Sequence, residues 1–174
     1  MPAVRTDPAI RAHERREEAA AKYRPSSVRL LLVAEAPPSS LDRYFYFEDV
    51  RAQDGLFRHV VRAVLGVEPS RVDKPAQLQR LAEAGVFLID LKTRPKGAGE
   101  TLERFVPDLV ARAVDLGPEY VITIKANVCD LAQRPLRAAG LRVVNARVPF
   151  PGSGQQRRFL EAMGRGLKAI DWRG

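Results

Sequence analysis

The chain has 174 residues, of which 45% are hydrophobic and 29% charged, a composition typical of one folded domain with a sizeable core. No apolar run approaches the roughly 20 residues that a transmembrane helix needs, and the polar N-terminus is unlike a secretory signal. The single cysteine, Cys129, excludes an internal disulfide and a cysteine-ligated zinc or iron–sulfur site within one chain. We therefore expect a cytoplasmic, monomeric protein with no membrane partner, cofactor or metal.

The net charge of +8 is concentrated towards one end of the sequence. Residues 125–174 hold 10 Lys and Arg against 3 Asp and Glu, whereas residues 1–124 hold 19 against 18. Arginine outnumbers lysine by 23 to 6, and its guanidinium group suits bidentate contact with phosphate. This distribution favours a polyanionic partner such as nucleic acid, while a solubilising surface is the simpler interpretation.

The first half of the chain predicts two buried strands among three helices. Asp7 and Pro8 are typical of a helix start, and we place the polar helix that follows on the surface, within an N-terminal extension of residues 1–26. Continuous apolar runs predict the two strands. In chain order the elements are a helix at 8–24, a strand at 28–34, a long loop at 36–53, helices at 54–65 and 75–84, and a strand at 86–91.

The second half continues the alternation of helices and strands. Its elements are a helix at 101–116, a strand at 120–124, a helix at 127–139, a strand at 141–144 and a helix at about 155–170. Such alternation predicts a three-layer α/β/α fold around a four-stranded parallel sheet. Because the sequence contains no repeat and no linker, we expect residues 1–174 to form a single domain.

Acidic residues follow the first two predicted strands. Ligands of open α/β sheets bind at the carboxyl ends of the strands, so such residues are candidates for chemistry. Glu35 follows the first strand and precedes two prolines, which permit neither helix nor further strand. Asp90 ends the second strand. The alternative for Glu35 is that it is a solvated turn residue. The alternative for Asp90 is a capping role or an ion pair with Lys92 or Arg94.

Two further segments have the character of binding elements. The long loop carries four consecutive aromatic residues, Tyr44 to Phe47, and loops of this length in compact domains are usually functional. The segment 149–158 contains a Gly-Ser-Gly turn that leads into a helix, where exposed N–H groups together with Arg157 and Arg158 favour phosphate. Its glycine spacing differs from that of a P-loop or a dinucleotide-binding turn.

The order of these motifs resembles the uracil-DNA glycosylase superfamily, in particular its small bacterial branches with divergent motifs. Ala34-Glu35-Ala36-Pro37-Pro38 is similar to the family's Gly-Glu-Ala-Pro-Gly motif after the first strand. Phe150-Pro151-Gly152-Ser153 is the nearest match to its His-Pro-Ser motif after the last strand. Asp90 stands where the family usually has a base-reading Asn. The resemblance covers roughly residues 27–170.

The resemblance implies a DNA-repair glycosylase that hydrolyses the N-glycosidic bond of a deaminated or damaged, uracil-like base in single- or double-stranded DNA. Glu35 would direct water at the sugar C1′, and Phe47 or Tyr46 would stack on a base that is flipped out of the DNA. The implied base-binding residues are Ala34, Ala36, Tyr46, Phe47 and Asp90. The implied DNA contacts are Phe150, Pro151, Gly152, Ser153, Gln155, Arg157 and Arg158.

Departures from the family's motifs keep other functions open. Ala34 replaces a glycine, and Ala36 stands where the best-studied branch has its activating aspartate. Phe150 replaces the histidine and cannot donate a hydrogen bond to a departing base. Asp90 only accepts hydrogen bonds when it is ionised, whereas Asn also donates. A non-catalytic protein that binds nucleic acid or a nucleotide is the main alternative, and an enzyme acting on free nucleotides is the third.

Overall fold

The computed structural model describes residues 7–50 and 54–174, so residues 1–6 of the predicted extension and 51–53 of the predicted loop lie outside the described residues. The fold is mixed α/β, with helices packed around a parallel sheet, as the alternating pattern predicts. Three strands form the sheet in the order β2-β1-β3. They are β1 (Leu30–Ala34), β2 (Val86–Asp90) and β3 (Tyr120–Thr123).

The central strand, β1, fixes the register of the whole sheet. Leu30 pairs with Val86 on one side and with Tyr120 on the other, and both ladders are parallel. Every residue of β1 is buried, which is why its sequence is uniformly apolar. At the carboxyl end of the sheet the register places Ala34 directly beside Asp90.

Six α-helices surround this sheet in the described part of the chain. A π-helical turn, Val61–Leu65, extends α2, and a short 3-10 turn, Glu103–Phe105, leads into α4. Within residues 7–50 and 54–174, no helix is long and apolar enough to cross a membrane. The helices are α1 (Pro8–Lys22), α2 (Gly55–Val60), α3 (Lys74–Glu83), α4 (Val106–Leu116), α5 (Ala126–Ala138) and α6 (Gln156–Ala169).

Neighbouring residues of β3 show that helices cover both faces of the sheet. The Cδ1 atom of Ile122 lies 3.6 Å from the position that a Cβ on Gly166 of α6 would occupy. The next residue, Thr123, donates its hydroxyl to Cys129 of α5, with Oγ1 and Sγ 3.1 Å apart. Because successive strand residues point to opposite faces, α5 and α6 lie on opposite sides of the sheet.

The predicted fourth strand, 141–144, is wrong. This part of the chain forms only two isolated parallel bridges, Val121 with Val143 and Ile124 with Val148. Between the bridges the chain makes a local hydrogen bond instead of a ladder bond, from the N–H of Ala146 to the carbonyl of Val144 at 2.8 Å. That local bond interrupts the ladder, so the sheet has three strands rather than four.

The N-terminal helix is more than a surface extension. Most of α1 is exposed, and Asp7 caps it as the sequence predicts, with its side chain accepting from the N–H of Ala9. Arg16, however, is only 3% exposed and donates to the carbonyl of Pro38 at 2.9 Å. The helix therefore supports the loop that follows β1.

Candidate active site

A cavity of about 450 Å³ opens at the carboxyl ends of the strands, a volume within the usual range for small-molecule sites. It brings together the segment after β1, the end of β2, the residue after Ile124 and the turn near residue 150. We call it the strand-end cavity. Its walls are formed by Ala34, Glu35, Ala36, Pro37, Pro38, Arg43, Tyr44, Phe45, Asp54, Gly55, Leu56, Leu88, Asp90, Lys125, Phe150, Pro151 and Gly152.

Glu35 lies on the wall of this cavity with both carboxylate oxygens engaged. Lys125 donates to Oε1 from 2.8 Å, and the side-chain amide of Asn127 donates to Oε2. Burial alone raises the pKa of Glu35, but the hydrogen bonds from Lys125 and Asn127 outweigh it and place the pKa below its ordinary value. Glu35 is therefore ionised at neutral pH and is held in one orientation.

Lys125 reaches Glu35 from a strained backbone. Its φ of 85° and ψ of 139° lie close to a region that is populated almost only by glycine. Its N–H donates to the carbonyl of Val148 at 2.8 Å, and α5 begins at the next residue. Strain of this kind persists only where the surroundings impose it, and it concentrates at functional sites.

Asp90 borders the cavity at the end of β2, and no described residue donates a hydrogen bond to its carboxylate. Burial raises the pKa of Asp90 from 3.8 to about 7, despite the attraction of Arg112 and Arg16. The negative charges of Asp54 and Glu17 add to the increase. At neutral pH the side chain is thus divided between a neutral form, which both donates and accepts, and an ionised form, which only accepts.

The carboxylate of Asp90 neither pairs with Lys92 nor caps a backbone N–H group of the described residues. Lys92, one of its predicted alternative partners, forms an ion pair with Glu100 instead. Arg112 of α4 donates to the backbone carbonyls of Asp90 and Leu91 at 3.0 and 2.9 Å. These bonds fix the end of β2 while the Asp90 side chain keeps its hydrogen-bonding capacity for a ligand.

Tyr46, one of the two residues predicted to stack on a base, does not line the strand-end cavity and is only 3% exposed. Its hydroxyl donates to the carbonyl of Leu88 at 2.9 Å and accepts from the N–H of Leu88 at 2.7 Å. Since β2 is an edge strand, these two groups face away from β1. Tyr46 thus supplies hydrogen-bond partners for two backbone groups of β2 that no neighbouring strand reaches.

Phe47 is likewise buried away from the cavity, at 4% exposure. Its ring packs edge-on against Tyr44, and the guanidinium of Arg15 lies 4.4 Å from its centroid. Within the four-residue aromatic cluster, Tyr44 and Phe45 line the cavity. The structure therefore places the other two members of the cluster, and not Tyr46 or Phe47, at the cavity.

Three hydrogen bonds hold this aromatic segment in place. Lys74, which is 3% exposed, donates to the carbonyl of Tyr44 at 3.0 Å. Burial lowers the pKa of Lys74 to about 8, with partial opposition from Asp54. Together with the Tyr46 bonds to β2, this contact makes the loop a fixed wall of the cavity.

The turn at 150–158 is divided between the cavity and the surface. Phe150, Pro151 and Gly152 line the strand-end cavity, and Phe150 is 44% exposed at its rim. Ser153 is exposed, with a positive φ of 49°. Arg157 forms an ion pair with Glu161 on the surface of α6. Four of the predicted DNA contacts therefore lie outside the cavity, in the chain that follows its last lining residue, Gly152. They are Ser153, Gln155, Arg157 and Arg158.

Sequence reasoning missed Lys125, Asn127 and Phe45. The first two follow the third strand, and the sequence offered no acidic residue or motif at that point. The strand-end rule, applied to the residues after Ile124 as it was to Glu35 and Asp90, was the available signal. Phe45 was named within the aromatic cluster, but its burial against the cavity depends on tertiary packing.

Comparisons with known proteins leave the family of this chain open. No family model matches the sequence, and a search of the curated proteins finds no match. Across residues 7–50 and 54–174, no cluster of three or more His, Cys, Asp or Glu side chains is arranged to hold a metal ion.

Proposed function

We propose that the chain is a DNA glycosylase of the uracil-DNA glycosylase superfamily, which hydrolyses the N-glycosidic bond of a deaminated, uracil-like base. One observation carries this proposal. The segment after β1, the end of β2 and the turn after Pro149, each selected for its resemblance to that superfamily, all line the strand-end cavity. A base that is flipped out of a DNA strand requires such a pocket.

In the proposed reaction, Glu35 acts as a fixed anion. Loss of the base leaves positive charge on the sugar, as in other glycoside cleavages with oxocarbenium-like transition states. The Lys125 and Asn127 bonds keep the Glu35 carboxylate ionised and oriented. Each carboxylate oxygen retains a lone pair for a water molecule, so Glu35 both stabilises the sugar cation and directs the attacking water. The water oxygen forms the new bond to the sugar C1′, and the proton that the water loses ends on the departed base anion.

Lys125 supplies the donor that Phe150 lacks. Both residues line the strand-end cavity, but only the ammonium group carries protons and a positive charge. One of its three donors is used by Glu35 at 2.8 Å. We assign a second donor to the departing base, whose developing negative charge a nearby cation stabilises.

Recognition of the base is assigned to Asp90 and the aromatic wall. With a pKa of about 7, Asp90 in its neutral form offers one donor and one acceptor, the pattern that an Asn would present. The neutral form can therefore donate to a carbonyl oxygen of uracil, which the ionised form cannot do. Phe45, rather than Tyr46 or Phe47, provides the apolar surface against the base.

A non-catalytic nucleic-acid-binding protein is the second candidate, and one observation favours it. Both oxygens of Glu35 already accept hydrogen bonds, and its pKa is low, so Glu35 is a weak proton acceptor. A carboxylate arranged in this way also suits a purely structural link between β1 and α5. The two candidates share the cavity and differ in whether a bond is broken.

The test is base release from fluorescent oligonucleotides, single-stranded and duplex, that carry uracil, hypoxanthine, xanthine or a thymine mismatch. Alkali converts abasic sites to strand breaks. Release above that of an empty-vector preparation supports the glycosylase and identifies its base. Binding across the whole panel without release contradicts the glycosylase and favours the second candidate. Failure both to bind and to release contradicts both.

A further inference from the structure

A shallow groove of about 290 Å³ lies beside the strand-end cavity, and no part of the proposed reaction uses it. Its side chains come from the end of the interrupted bridge segment and from one face of α6. We call it the arginine groove. Its main lining residues are Arg147, Pro149, Gln155, Arg158, Glu161 and Arg165.

The groove on α6 is built by helical spacing. Arg158, Glu161 and Arg165 are three and four residues apart, so they lie on one face of the helix. Glu161 is the one carboxylate among the lining residues, and Arg157 binds it with Nε and Oε1 2.8 Å apart. The negative charge in the groove is therefore already compensated from the preceding turn.

The positive charge in the groove exceeds the negative charge. Arg147 is paired with Asp130, and both side chains are more than half exposed. Arg158 and Arg165 form no ion pair with any residue in 7–50 or 54–174. Two guanidinium groups without a counterion thus face one concave surface, which is the arrangement that binds phosphate in a nucleic-acid backbone.

The groove and the cavity share a wall. Lys125 lines the strand-end cavity and the next residue, Ala126, lines the arginine groove. Pro149 lines the groove and the next residue, Phe150, lines the cavity. Since consecutive Cα atoms are about 3.8 Å apart, two separate segments of chain place the two concavities side by side.

From this adjacency we infer that the arginine groove binds a backbone phosphate of the DNA strand whose flipped nucleotide enters the strand-end cavity. The inference rests on the proposed function, because it takes that nucleotide as the ligand of the cavity. It keeps Arg158 from the sequence-based assignment of Arg157 and Arg158 to phosphate, and it adds Arg165. Arg157 instead neutralises Glu161 and so keeps the groove positive.

The test compares two double variants that each remove two positive charges. Arg158→Ala/Arg165→Ala changes the groove, whereas Arg104→Ala/Arg173→Ala changes two exposed arginines, 71% and 84% exposed, that do not line it. The probe is a fluorescent single-stranded 20-mer with a central tetrahydrofuran abasic analogue. Its Kd is measured between 50 and 200 mM NaCl, and thermal melting establishes that both variants fold.

We expect the groove variant to lose about tenfold in affinity at low salt, and its slope of log K against log salt to decrease by about 0.7, one single-strand phosphate contact. The control variant should retain the wild-type slope. Equal slopes in the two variants overturn the inference. If the wild type still releases a base in that case, the proposed function stands without the groove. If the wild type neither binds nor releases, the inference and the proposed function both fail.

Discussion

Lys125 and Glu35 are 90 positions apart in sequence, yet the Lys125 ammonium lies 2.8 Å from a carboxylate oxygen of Glu35 at the carboxyl end of the sheet. The lysine side chain is 43% exposed and the glutamate side chain 17%, so the pair is partly buried in the wall of the cavity. Because the Lys125 side chain is still partly exposed to solvent, the ion pair itself adds only modest stability. The contact is better explained by the electrostatics that it gives to Glu35.

Replacing Lys125 by Met should shift the pH dependence of base release. Lys125 is a main cause of the lowered pKa of Glu35, so its loss raises that pKa. A reaction that needs the ionised carboxylate fails below this pKa, and the acidic limb of the rate profile should move to higher pH. We also expect about a 10- to 100-fold slower rate at neutral pH, from the lost donor to the leaving base. Rates of the wild type and the variant between about pH 3 and 9 test this, and a variant whose acidic limb coincides with that of the wild type contradicts it.

The backbone at Lys125 makes a separate prediction about stability. Both Lys125→Gly and Lys125→Ala remove the ammonium group, but only glycine adopts the observed φ of 85° without strain. We expect Lys125→Gly to be more stable than Lys125→Ala by about 1–3 kcal/mol, although glycine usually destabilises relative to alanine. Urea unfolding of the two variants measures the difference. A more stable alanine variant would show that the backbone there is unstrained.

Tyr46→Phe should destabilise the fold without changing the cavity wall. The change removes one oxygen, which leaves the N–H and carbonyl of Leu88 without their partner on the edge of β2. We expect a loss of about 2–3 kcal/mol in the free energy of unfolding. Tyr120→Phe is the matched control, because no described residue bonds to the Tyr120 hydroxyl. Similar unfolding curves for the two variants would show that the hydrogen bonds of Tyr46 to the Leu88 backbone do not stabilise the fold.

The strands illustrate what the sequence predicts well. The runs that form β1, β2 and β3 are apolar because the sheet is covered on both faces, and such runs are visible without a structure. The segment at 141–144 is also mostly apolar. It forms only an isolated bridge to β3, because the chain that follows it makes a local bond between Ala146 and Val144. The pattern of apolar residues does not show whether local or ladder hydrogen bonds form, so this outcome could not be predicted from the sequence.

The site was predictable to a similar degree. Glu35 and Asp90 could be found because each ends a recognisable strand. Which of four successive aromatic residues faces the cavity could not be found, because the choice depends on Tyr46 bonding to Leu88. Arg16 was also unpredictable, since its burial depends on the contact of α1 with the loop at Pro38.

Asp90→Asn should stabilise the protein in a pH-dependent way. Because the pKa of Asp90 is raised from 3.8 to about 7, the stability linked to this group is fully present below pH 4 and is lost as the pH rises to 7. Asparagine does not ionise, so the stability of the variant relative to the wild type should increase across this window, by about 4 kcal/mol between pH 4 and pH 8. Thermal melts between pH 4 and 9 test this, with exposed Asp171→Asn as the control. A gain that is constant with pH contradicts the raised pKa.

The most direct test of a catalytic strand-end cavity is the single-turnover rate of base release by Glu35→Gln on the best substrate found. Glutamine keeps the size of the side chain and removes its charge. We expect a rate at least about 100-fold below wild type, with binding of the abasic analogue within threefold. Glu68→Gln, whose side chain is 85% exposed, should release the base at the wild-type rate. Release by Glu35→Gln at the wild-type rate would contradict a catalytic role for Glu35.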